Sequence, residues 1–67
     1  MQDFQKRVVD EKTELDEKIG KLNGFLVTNP VYQALPNAEQ ARLLRQITAM
    51  REYSDILGER IAAFQEG

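Results

Sequence analysis

The chain contains no cysteine and no histidine. Without cysteine there is no disulfide framework and no thiolate metal site. Without histidine the commonest zinc ligand and the commonest general base are missing. Tryptophan is absent too, and prolines number only two. Neither sign of charge dominates: nine Lys and Arg stand against eleven Asp and Glu, a net charge of −2. A protein that wraps duplex DNA through its backbone shows a basic surplus, so nucleic-acid polymers are not expected partners. Apolar runs such as Phe25-Leu26-Val27 fall far short of the ~20 residues a membrane span needs. Met1-Gln2-Asp3-Phe4 lacks the cationic-then-apolar order of a signal peptide. A soluble intracellular protein is the expectation. At 67 residues the chain buries only ~60% of the surface it exposes when unfolded. With disulfides and thiolate metals excluded, oligomerisation is the remaining way to stabilise so small a core.

What is present is helical periodicity. Val8, Leu15, Ile19, Leu22 and Leu26 recur at spacings of four or three once Lys12 is counted in the series. Charged residues fill the positions between them, and Glu14–Lys18 and Glu17–Lys21 stand four apart in the favourable order. This predicts an amphipathic helix over 3–28. Thr28-Asn29-Pro30 ends it, because the residue before proline avoids the α region. A turn over 29–36 follows, with Asn29 as N-cap and Pro30 at the first helical position of one short turn of helix. That segment carries no charge and looks too short to pack as a third element. Asn37 and Gln40 fit a capping box for a second long helix over 37–65, with Pro36 as the alternative start. Along it Leu43, Ile47, Met50, Leu57, Ile61 and Phe64 repeat the spacing, and Ser54 fills the missing step.

The expected fold is therefore all-α: one domain, 1–67, an antiparallel two-helix hairpin with a short helical turn between, assembled into an oligomeric helical bundle. Pairing Leu22 with Leu43, Ile19 with Ile47, Leu15 with Met50 and Val8 with Leu57 sets Lys12 opposite Ser54. That polar layer either fixes register and partner choice, as one polar seam residue does in coiled coils, or faces a ligand. Val9, Phe25, Leu44, Ala49 and Tyr53 widen the stripe beyond what one partner helix covers, which argues for further copies of the chain. Gly20 and Gly24 share a face at the small-xxx-small spacing that permits close backbone approach; alternatively, Asn23-Gly24 frays or caps the first helix. The expected oligomer interface comprises Gly20, Gly24, Phe25, Leu44, Met50 and Leu57.

Gln46, Met50, Tyr53, Leu57 and Arg60 line one helical face at spacings of 4, 3, 4 and 3. Such a mixture suits a protein interface or a small anionic, aromatic ligand such as a nucleotide. In the second case Tyr53 stacks on a base, while Arg60 and Lys12 meet phosphates and Arg7 lies close to Arg60. No Gly-rich phosphate loop, Ser-His-Asp set or metal-ligand spacing is present. The carboxylates sit on solvated faces, where nothing sets their pKa values apart for acid–base work. No cofactor, no metal and no catalysis are expected.

Two strings carry a family resemblance: Val9-Asp10-Glu11-Lys12-Thr13-Glu14-Leu15-Asp16-Glu17-Lys18-Ile19-Gly20-Lys21-Leu22, and Glu39-Gln40-Ala41-Arg42-Leu43-Leu44-Arg45-Gln46 with Met50-Arg51-Glu52-Tyr53 and Leu57-Gly58-Glu59-Arg60-Ile61. They resemble a family of small helical-hairpin proteins of tailed bacteriophages and prophages, grouped with a protein of crAss-like phages. The resemblance implies a viral protein acting in the host bacterial cytoplasm. In size, fold and origin the chain is also similar to phage immune-evasion sponges that sequester the nucleotide signals of CBASS and Thoeris defence. Those proteins use an aromatic residue for the base and Lys or Arg for phosphate at subunit interfaces. Their Gly-Tyr-Arg and Asn-x-x-Lys patterns are absent here, so no residue is carried over. The similarity implies a non-enzymatic protein that binds itself and a cyclic di- or trinucleotide. The rival expectation is an interaction module or structural oligomer that binds a host or phage protein through its helical face.

Overall fold

The computed structural model describes residues 2–66. Its elements are α1 (Asp3–Thr28), α2 (Pro30–Ala34) and α3 (Asn37–Glu66), and α1 packs along α3. At ~1.5 Å per residue, the 30-residue α3 accounts for nearly the whole 48 Å length of a molecule only 15 by 14 Å across. All-α hairpin architecture and both long helices are as the periodicity predicts.

The helix ends follow from local chemistry. Gln5 Oε1 accepts the Gln2 backbone N–H at 2.9 Å and so ties off the start of α1. At its other end the Asn29 N–H donates to Phe25 O, and Pro30 then stops propagation. Asn29 Oδ1 accepts the Val31 N–H at 2.9 Å, which makes it the N-cap of α2 with Pro30 at the first helical position.

The start of α3 differs from the expected capping box. Pro36 O accepts the N–H groups of Glu39 and Gln40, so Asn37 already lies inside the helix. Gln40 turns away from Asn37 and donates through Nε2 to Tyr32 O, Gln33 O and Leu35 O. It caps the carbonyl end of α2, where Tyr32 O also accepts the Leu35 N–H. The connection also packs, contrary to expectation. Tyr32 is buried and meets Phe25 edge-on, with ring centroids 6.2 Å apart.

Between the ends, burial follows the predicted seam. Val8, Ile47, Ser54 and Leu57 are buried, and Leu57 has 0% of its surface exposed. Leu15, Ile19, Leu22, Leu26, Leu43, Met50, Ile61 and Phe64 are half-buried. Phe4 and Phe64 meet edge-on at the open end, 5.6 Å between centroids, and Arg51 donates to Asn23 Oδ1 across the hairpin. Among the described residues the ion pairs are Lys12–Asp16 and Arg42–Glu39. The Glu14–Lys18 and Glu17–Lys21 pairs, expected from spacing, are not closed.

Gly20, Gly24 and Gly58 are all helical and none has positive φ. Gly24 is therefore not a C-cap, since α1 continues to Thr28. A Cβ added at Gly20 or Gly24 would meet nothing within 4 Å, so within one chain neither glycine serves close helix approach.

Candidate functional site

Three polar side chains meet in the middle of the seam. Lys12 Nζ donates to Ser54 Oγ at 2.8 Å and to Asp16 Oδ2 at 3.0 Å, and Ser54 Oγ donates to Asp16 Oδ1 at 2.5 Å. The predicted apposition of Lys12 and Ser54 is present. Asp16 completes it, being one turn beyond Lys12 on α1. The hydrogen bond from Ser54, then that from Lys12, hold the Asp16 carboxyl below its ordinary 3.8; desolvation opposes them and the Lys12 charge adds a smaller pull downward. The Lys12 stem crosses Gly58, where an added Cβ would stand 3.5 Å from Lys12 Cε.

The cluster is internally balanced. The ammonium faces a carboxylate, and the hydroxyl both accepts and donates. A one-turn slip of α1 against α3 would set Lys12 against Met50 or Leu57 and take its hydrogen bond to Ser54 away, while the Lys12–Asp16 pair, lying within α1, would move with the helix. That is the register function of a polar seam residue. Its signal in sequence is Lys12 itself, which breaks the first apolar series as Ser54 breaks the second.

A second group of polar residues lies on α3. Gln46, Tyr53 and Arg60 follow one another at intervals of seven and are exposed, whereas Met50 and Leu57 between them face the seam. Tyr53 keeps 43% of its surface open. Arg7 is exposed on α1. Gly58, under the Lys12 stem, and Tyr53 are five residues apart, so they project about 140° apart around α3. Lys12 thus emerges on one flank of the seam and Tyr53 on the other. The structure keeps Tyr53 and Arg60 on one face and does not bring Lys12 to them. Of the expected interface residues, Gly20 and Leu44 are exposed, Gly24, Phe25 and Met50 are half-buried, and Leu57 has no surface left to offer. Asp16 and Gln40 are the polar residues that sequence reasoning missed.

Among the described residues no cluster of acidic side chains is arranged to hold a metal ion, and no helix is long and apolar enough to cross a membrane. The family model for Sequestin matches residues 2–63, nearly the full chain. The chain belongs to the Sequestin family. No curated protein and no solved structure matches it. The Sequestin name denotes sequestration, which suits a binding protein and agrees with the sponge-like similarity of the helical hairpin.

Proposed function

We propose that this Sequestin-family chain is a phage immune-evasion protein that sequesters a host nucleotide defence signal in the bacterial cytoplasm, binding it stoichiometrically and without cleavage. The family match over residues 2–63 carries the reading. The surface supports it: Tyr53 offers an exposed ring for a base, and Arg60, two turns along the same face, offers a planar cation for phosphate. Arg7, exposed on α1, supplies a further cation. Lys12 serves this site indirectly, because Asp16 already neutralises it; it holds α3 in the register that presents Tyr53. Cyclic di- and trinucleotides and ADP-ribose-type signals share the required features, a stackable base and phosphate charge.

Thermal unfolding with a panel of these nucleotides tests the reading. A ligand present at a hundred times its dissociation constant stabilises by ~2.7 kcal/mol, a large shift for a domain of this size. We expect such a shift with at least one nucleotide and intact nucleotide after release. Absence of a shift with every member of the panel overturns the reading.

A further inference from the structure

Gly24 has no packing or conformational reason within the chain to be a glycine. It is not a C-cap, its φ is not positive, and an added Cβ would meet nothing within 4 Å. A glycine inside a helix costs stability relative to alanine. Its neighbour Asn23 is exposed, and Asn23 Oδ1 accepts from Arg51 Nη2 at 3.1 Å across the hairpin. The pair sits at the weaker end of α1. Gly20 stands one turn before Gly24, and the helix stops at Thr28, after the β-branched Val27. Thr28 Oγ1 donates back to Gly24 O at 2.7 Å, a bond that competes with the helical ladder. Val27 keeps 72% of its surface open, so that side of the last turn is held by little packing.

We propose that Asn23–Gly24 is a site of spontaneous deamidation, gated by opening of the last turns of α1 and restrained by Arg51. In this reaction the Gly24 backbone nitrogen loses its proton to hydroxide and attacks Asn23 Cγ. The new C–N bond closes a five-membered succinimide, and the bond from Cγ to the side-chain nitrogen breaks to release ammonia. Water then opens the ring at either carbonyl, leaving aspartate or isoaspartate. Glycine favours ring closure because it has no Cβ in the way and its backbone leaves the helical region readily. The other two asparagines lack this chemistry: Pro30 after Asn29 has no N–H to lose, and Ala38 after Asn37 carries a Cβ. While α1 is closed, the helical ladder commits the Gly24 N–H to Gly20 O, and Arg51 holds the Asn23 carbonyl toward α3. Both must let go before the ring forms. The two products then act in opposite directions. Aspartate sets a carboxylate where Arg51 already donates and makes an ion pair of that bond. Isoaspartate takes the main chain through one extra carbon, which interrupts α1 and displaces Phe25 from its contact with Tyr32. The turn end of the hairpin therefore loosens as the molecule ages, whatever the Tyr53 flank binds.

The test is incubation of the full chain at mildly alkaline pH, followed by intact mass, peptide mapping and detection of isoaspartate. Asn23 is expected to release ammonia and gain the mass of an NH2-to-OH exchange, before Asn29 or Asn37 does. The reaction should run faster as pH rises, and faster still in the chain unfolded by urea. Arg51→Ala should accelerate it about two- to tenfold, the factor expected for loss of one hydrogen bond. Gly20→Ala leaves the reacting pair untouched and should slow it about two- to fivefold, because the helix opens less often. Gly24→Ala should nearly abolish it. Circular dichroism shows whether each variant remains helical, and Gly20→Ala decides the matter should Arg51→Ala unfold. The isoaspartate form, separated by chromatography, should unfold at a lower temperature than wild type, and Asn23→Asp at no lower a temperature. An Asn23 that stays intact in the native chain, or reacts there as fast as in urea, overturns the proposal. So does a rate that Gly20→Ala leaves unchanged, or that a folded Arg51→Ala leaves unchanged or lowers.

Discussion

The two faces of α3 solve different problems. On the inner face every polar group has a partner within the chain: Ser54 holds Lys12 and Asp16, and Leu57 and Ile47 are closed off from water. On the outer face Arg45, Glu52 and Ile56 make no comparable commitment and remain exposed. The inner face specifies the hairpin, and the outer face and its Tyr53 flank are left for other molecules. Substitutions should therefore separate cleanly into those that change folding and those that change binding.

The largest effect on stability is expected at the inner face. Leu57→Ala empties a fully buried site and should cost about 2–5 kcal/mol, measured as a lower denaturant midpoint. A cost below 1 kcal/mol would mean that the inner face is not the core. Ser54→Ala comes next. It removes the buried hydroxyl that links the Lys12 ammonium to the Asp16 carboxylate, and hydrogen bonds to charged groups contribute about 1.5–3 kcal/mol. If the layer sets register, Ser54→Ala should also broaden the amide spectrum, as alternative alignments of the seam become populated.

That register was legible in sequence because two long series, each broken once by a polar residue, align at their breaks when folded as a hairpin. Lys12 and Ser54 are the breaks. The role of Asp16 was hidden among charged neighbours, since only the packing of α1 on α3 brings its carboxylate to Ser54. Tyr32 and Gln40 were hidden for a related reason. A five-residue helix carries too little periodicity to reveal which side chain turns inward, and the Gln40 amide reaches carbonyls whose orientation is set by the path of the turn. The Tyr53–Arg60 face was legible from its interval of seven, whereas the separation of Lys12 from it required knowing on which flank the ammonium emerges.

Smaller effects sharpen the contrast. Gly20 projects into open space from the middle of α1, so Gly20→Ala should stabilise the chain by about 0.5–1 kcal/mol through helix propensity. Should that substitution instead lower the mass in solution, α1 takes part in assembly through the face that Gly20 and Gly24 share. The Asp16 carboxyl is held below its ordinary 3.8 in the folded chain. Its contribution is therefore present above that value and lost as pH falls through the lowered folded pKa. Acid titration of wild type against Asp16→Asn should show the two stability curves converging below about pH 4 and parallel at neutral pH. The smallest effect on folding belongs to Tyr53→Ala on the exposed flank, within about 0.5 kcal/mol.

Tyr53→Ala also gives the most direct measurement of the central claim, made by titration calorimetry on the nucleotide panel at tens of micromolar protein. The account predicts saturable heat with at least one nucleotide in wild type, little or none in the folded Tyr53→Ala variant, and uncleaved nucleotide at the end of the titration. Saturable heat that survives intact in Tyr53→Ala, or no heat with any nucleotide in wild type, would contradict it.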